Sequence, residues 1–204
     1  MRRLILLAAL LLPVTTQAAS LPAQEAVHGM VVSSQHLATD AGVAMLKAGG
    51  NAVDAAVPVG YALAVVDPCC GNIGGGGFMT LHLADGSDHC INFREMAPAA
   101  ASADMYLDAA GNAIKNASLI GWKAVGVPGT VMGLDAALAR YGTMTRAQVM
   151  APAIRLARDG FVLTRADTDI LHRRTAAFRE QPNVAAIFLH ADGGPYEPGE
   201  TLVQ

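Results

Sequence analysis

Gly49-Gly50-Asn51-Ala52-Val53-Asp54-Ala55-Ala56 is the stretch from which the fold can be read. Upstream, Ala41, Ala44, Met45 and Ala48 recur at helical spacing over residues 39–48, and the paired glycines stop that helix. Asn51 suits the N-cap of a second helix, with Asp54 three residues on, where it can complete a capping box. That helix is expected to run to about Val66, with Asp67-Pro68 ending it. Pro58 lies inside it and should kink it or delay its start. The two helices make a tight hairpin of Ala, Val and Gly, whose small side chains demand a flat surface to pack on.

Strands follow. Residues 78–83 alternate in the β manner, Asp85-Gly86 marks a turn, and residues 89–93 read as the returning strand. Residues 30–34 read as a short buried strand, and residues 119–125 as another. Beyond the loop-rich stretch 98–128, helices are expected over 130–141, over 146–158 with Thr145 as cap and Gly160 as stop, and over 163–180. Residues 185–189 suit a short helix or strand, and residues 193–199 are turn material. Helical layers over a sheet make the fold class α/β or α+β.

Composition narrows the function classes. The chain has 204 residues, 52% of them hydrophobic and only 15% charged, which excludes intrinsic disorder. A formal charge of −3 offers no basic surface to nucleic acid. Part of the apolar content belongs to a leader: Met1-Arg2-Arg3, an apolar run over residues 4–12, then Pro13 and the small residues Ala18, Ala19 and Ser20. This is the layout of a secretory signal peptide, and the run is too short to span a bilayer. Residues 1–19 are therefore expected to be removed, leaving residues 20–204 as an exported, periplasmic chain that is not held in a membrane. An oxidising compartment permits disulfides. Among Cys69, Cys70 and Cys90, a Cys69–Cys90 or Cys70–Cys90 pair is more credible than a strained bond between neighbours. No CxxC and no Cys/His ligand spacing supports zinc, so no metal is expected.

Two motifs could carry chemistry. Gly71-Asn72-Ile73-Gly74-Gly75-Gly76-Gly77-Phe78 is unsuited to cradling phosphate, because phosphate loops open helices and these glycines precede a strand. It serves either as a tightly packed crossover or as a source of free amides for an oxyanion. In Asn92-Phe93-Arg94-Glu95-Met96-Ala97-Pro98, Arg94 leaves a strand and can clamp a carboxylate through two parallel bonds, or pair structurally with Glu95. The Gly-x-Ser-x-Gly elbow, HExxH and the EF-hand loop are absent.

Taken in order, Gly49-Gly50-Asn51-Ala52-Val53-Asp54-Ala55-Ala56, the Gly71–Phe78 loop, Phe93-Arg94-Glu95-Met96-Ala97-Pro98 and Val127-Pro128-Gly129-Thr130 resemble the γ-glutamyltranspeptidase family. So do Leu156-Ala157-Arg158-Asp159-Gly160-Phe161 and the ending Pro198-Gly199-Glu200-Thr201-Leu202-Val203-Gln204. The resemblance implies part of an N-terminal-nucleophile hydrolase, a four-layer αββα sandwich left incomplete by this chain. It implies a precursor that cuts itself into two subunits, with the new N-terminal Thr of the small subunit as nucleophile. Its substrates would be glutathione and other γ-glutamyl compounds, with the glutamyl group passed to water, amino acids or peptides and no cofactor or metal involved. Residues 20–204 match the front of the large subunit, partnered with the small subunit as a heterodimer. The nucleophile is then expected to lie outside this chain, which alone should be inactive. Arg94 falls on the arginine that holds the substrate α-carboxylate, and no catalytic residue can be carried over. Pro58 and Cys69-Cys70 depart from the family's usual residues. A related acylase of the cephalosporin-acylase kind, or a non-catalytic binding protein retaining the large-subunit shell, remain the alternatives.

Overall fold

A computed structural model describes residues 22–204; the proposed leader, residues 1–19, lies outside them. Helix α1 (His36–Lys47) starts at Gln35, whose side chain accepts the Leu37 N–H at 2.6 Å. The chain turns at Gly49-Gly50, where both amides bond back to α1 carbonyls, and enters α2 (Ala52–Val66).

The capping box expected at Asn51 forms. Its Oδ1 accepts from the Val53 and Asp54 amides at 2.8 and 3.1 Å, and Asp54 Oδ2 accepts from the Asn51 amide at 2.9 Å. Asp54 does more than cap. Fully buried, it also accepts from the Thr143 amide and hydroxyl and from the Met144 amide, at 2.7–3.1 Å. One carboxylate thus ties the start of α2 to the turn between α3 (Thr130–Tyr141) and α4 (Arg146–Asp159). Burial pushes the Asp54 pKa up, but the bonds from Thr143, Met144 and Asn51 outweigh burial and leave it below the ordinary carboxylate value. Asn51 adds a second tie, donating from Nδ2 to the Tyr141 carbonyl at 2.7 Å.

Pro58 does not delay the start of α2, which runs unbroken from Ala52 to Val66. The Pro58 side chain is fully buried, so packing offsets the missing amide bond. Helix α2 is the centre of the molecule, packed against α1, α3 and α4. Val57, Ala62, Val66, Ala137 and Val149 have no exposure at all and form the middle of the core.

The expected hairpin is present. Strands β1 (Phe78–His82) and β2 (Asp88–Asn92) pair antiparallel with Phe78 opposite Asn92 and His82 opposite Asp88. Met79, Leu81 and Ile91 face the helical core, and β2 touches α3. Beyond α4, β3 (Phe161–Val162) pairs with β4 (Thr201–Leu202), carrying Leu202 into the core.

Four expectations are corrected. Residues 30–34 form no strand: among the described residues no partner ladder meets them, and Met30 and Val32 are exposed. Residues 119–125 hold a single 3₁₀ turn, Trp122–Ala124, in place of a strand. The helix expected over 163–180 is two, α5 (Arg165–His172) and α6 (Thr175–Arg179), because the chain turns at Arg173-Arg174. Thr164 and Asp167 form a capping box that sets the start of α5. Finally, Cys69, Cys70 and Cys90 are all free and exposed. Cys90 sits mid-strand on the outward face of the hairpin, opposite Thr80, whereas Cys69 and Cys70 occupy the turn after α2. The short α7 (Pro182–Phe188) takes up most of the segment left open between helix and strand. Among the described residues no helix is long and apolar enough to cross a membrane.

Candidate functional site

Three segments far apart in sequence meet where β2 ends. The glycine loop before β1 extends the hairpin by one pair, with Phe93 N–H donating to Gly77 O at 3.0 Å and Gly77 N–H to Phe93 O at 3.3 Å. The turn Val127-Pro128-Gly129-Thr130 then docks on both. Gly129 and Thr130 amides donate to Gly75 O at 2.8 and 3.1 Å, while Met96 and Val127 exchange backbone bonds at 3.2 and 2.8 Å. Asn72 organises the loop from within: its Oδ1 accepts from the Gly75 amide at 2.8 Å and from the Thr130 hydroxyl at 2.6 Å.

Close approach explains the glycines here. A Cβ on Gly76 or on Gly129 would fall far inside contact distance of the Phe93 carbonyl oxygen, which is backbone and cannot swing aside. The packed-crossover reading of the loop therefore accounts for Gly75, Gly76 and Gly77, each bonded to or pressed on the Phe93–Glu95 strand exit or the 127–130 turn. The glycines hold the neighbouring strand exit in place.

That strand exit carries Arg94. Its amide donates to Asn92 Oδ1 at 3.1 Å, which fixes the backbone as it leaves β2. The guanidinium carbon lies 5.9 Å from the centre of the Phe78 ring, over its face, and Nε is 3.2 Å from Glu95 Oε2. Both interactions orient the head group without consuming it: the side chain is 63% exposed, and among the described residues neither Nη has a hydrogen-bond partner. A planar fork held along one edge and open along the other is suited to a carboxylate. Of the two sequence alternatives for Arg94, the Glu95 pair is present, and it leaves the fork open. Phe78 and Asn72 were not singled out from sequence. Asn72 had a signal, since a side-chain oxygen bonding an amide a few residues on is a common turn device of Asn; Phe78 had only its place at the end of the glycine motif and the start of a strand.

Several apolar side chains between residues 96 and 132 are open to solvent. Met96, Leu119, Ile120, Trp122 and Met132 are all more than half exposed, Trp122 to 95%.

A second cluster lies elsewhere. Asp67, Cys69 and Cys70 bring one oxygen and two sulfurs within 4.8 Å of one another, a donor set that could hold a metal ion. Cys69 Sγ donates to Asp67 Oδ1 at 3.1 Å. Bonding to Cys70 and then to Asp67 pushes the Cys69 thiol up to about 12. CxxC and Cys/His spacings do not reveal this set, because its third donor is a carboxylate at the helix end.

The chain has clear relatives. The family model for gamma-glutamyltranspeptidase matches residues 38–204. A glutathione hydrolase proenzyme of Pseudomonas sp. strain A14 is 58% identical over 87% of this chain and 31% of its own length. An acylase proenzyme of Pseudomonas sp. strain V22 is 42% identical over 86% of this chain and 32% of its own. The crystal structure of Helicobacter pylori gamma-glutamyltranspeptidase superposes with a TM-score of 0.86 at 41% identity, over 90% of this chain and 52% of that one. The chain thus spans about a third of the curated relatives it matches and shares its mixed helix-and-strand architecture with an N-terminal-nucleophile hydrolase. This chain belongs to the gamma-glutamyltranspeptidase family.

Proposed function

We propose that this chain forms the front of the large subunit of an exported γ-glutamyltransferase or glutathione hydrolase, which cleaves γ-glutamyl amides and passes the glutamyl group to water, amino acids or peptides. Residues 1–19 act as the export leader and residues 20–204 as the large-subunit portion, delivered to the periplasm. The nucleophilic Thr comes from the small subunit of the same precursor, so this chain alone is inactive. In this reading Arg94 holds the α-carboxylate of the γ-glutamyl substrate, with Glu95 and Phe78 orienting its fork. The observation that carries it is the open edge of the Arg94 guanidinium at the junction of three family motifs. A free α-amine beside a Thr hydroxyl supplies its own general base, so no metal or cofactor is required for that chemistry.

The test is made in the complete precursor. Arg94→Ala should weaken use of a γ-glutamyl anilide by roughly ten- to a hundredfold in kcat/KM, the loss of about 1.5–3 kcal/mol typical of a charged hydrogen bond. Arg94→Lys keeps the charge but not the fork, and should fall between Ala and the parent. Precursor cleavage should be unaffected in both. Failed cleavage with normal KM in the surviving enzyme would assign Arg94 a structural role. Equal slowing of a matched substrate without the α-carboxylate would do the same.

The acylase relative supports a second reading, in which the same shell serves a side-chain amide acylase. Comparing a γ-glutamyl amide with an acyl side-chain amide as substrates of the complete enzyme separates the two, since only the first presents an α-carboxylate to Arg94.

A further inference from the structure

Helix α2 ends in a turn that gathers three side chains of metal-ligating type, Asp67, Cys69 and Cys70. Asp67 closes the helix, its amide donating to Leu63 O at 2.9 Å, while its own carbonyl accepts from the Cys70 and Gly71 amides at 3.0 and 2.7 Å. Gly71 lies so close to Leu63 O that a Cβ could not be accommodated, so the turn is pressed onto the helix end. Cys69 and Cys70 are thereby held on the same side of the turn as the Asp67 carboxylate.

The carboxylate is itself held from outside the cluster. Ser34, before α1, donates to Asp67 Oδ2 at 2.6 Å, which leaves Oδ1 directed at Cys69 Sγ, 3.1 Å away. Metal-binding carboxylates are commonly fixed in this way by a hydroxyl behind them. The thiols open onto a groove of about 570 Å³ whose walls include Arg173, Arg174, Phe178 and Phe188, which gives an ion a path in.

We propose that Asp67, Cys69 and Cys70 form a binding site for a thiophilic divalent cation of the zinc type. Two thiolate sulfurs and one carboxylate oxygen match zinc's preference for soft and borderline donors, and three protein ligands leave a fourth position facing the groove. Two thiolates and a carboxylate around a dication carry one net negative charge, which the cationic Arg173 and Arg174 on the groove wall favour. The site takes no part in the γ-glutamyl chemistry proposed above.

The test uses the full chain, kept reduced and stripped with a chelator, then titrated with Zn²⁺ against a chromophoric competitor. One Zn²⁺ per chain is expected. Co²⁺ in its place should give sulfur-to-metal charge-transfer absorption. Cys69→Ser and Cys70→Ser should each reduce that absorption and weaken Zn²⁺ binding more than Ser34→Ala does, and the double change should abolish the absorption. Ser34→Ala removes only the support behind Asp67 and should cost roughly tenfold in affinity. Cys90→Ser should bind as the parent does. Three results would overturn the proposal: no stoichiometric uptake by the reduced chain, uptake that survives the double Cys69→Ser, Cys70→Ser change, or uptake lost with Cys90→Ser.

Discussion

The helical block α1–α4 and the segment of residues 94–128 are held in opposite ways. In the block, apolar side chains face one another around α2, and several have no exposure at all. In the segment, apolar side chains face out, from Met96 through Leu119 and Ile120 to Trp122, and regular structure is reduced to bridges and one 3₁₀ turn. Its position depends on backbone hydrogen bonds and glycine contacts at its two ends, where it meets β2 and the glycine loop. Burial holds the first region and geometry the second. Arg94 stands at the start of the second, so its placement rests on a few directional contacts.

The largest effect that could break this contrast should come from Asp54. Asp54→Ala would leave the Asn51, Thr143 and Met144 amides without their buried acceptor, and should cost about 3 kcal/mol or more in chemical denaturation. A loss below 1 kcal/mol would show that the helical block does not depend on that clamp. The same group predicts acid sensitivity. Its folded pKa is below its unfolded value of about 3.9, so its stabilisation is full above that pH and is lost as pH falls through the folded pKa. Asp54→Asn should flatten that acid limb.

An intermediate effect is expected at Gly129→Ala, where the added methyl meets the Phe93 carbonyl and the backbone must shift. Overpacking of this kind typically costs about 1–3 kcal/mol. The complete enzyme should lose γ-glutamyl turnover out of proportion to that loss, because the displaced strand exit carries Arg94. Unchanged kinetics in a destabilised Gly129→Ala enzyme would show that the junction does not position Arg94. The smallest effect should be at Trp122→Ser. An indole 95% exposed contributes little to this chain's own fold, and the melting free energy should stay within about 0.5 kcal/mol. A larger loss would erase the contrast between the two regions.

Sequence reading succeeded where the signal was local. Caps at Asn51 and Thr145, the stop at Gly160 and the Asp85-Gly86 turn each depend on residues a few positions apart, and all appear as expected. It failed where a short apolar run had to find a distant partner, at residues 30–34 and 119–125, because a strand is defined by its neighbour as much as by itself. It also failed for the cysteines, since pairing requires a spatial approach that spacing does not encode.

The candidate site divides along the same line. Arg94, the glycine loop and the Val127–Thr130 turn were each visible as motifs, and their order alone indicated the family. That they converge was decided by the tertiary structure, through Gly75 O accepting two amides more than fifty residues away and Asn72 bridging its own loop to Thr130. Likewise, sequence placed Asp54 in a capping box, but only the fold brought Thr143 and Met144 to its other lone pairs. Local hydrogen bonds follow from residue type and a fixed spacing. Long-range ones arise only when packing brings the donors to the acceptor, and in this protein that packing is the stacking of α1, α3 and α4 around α2.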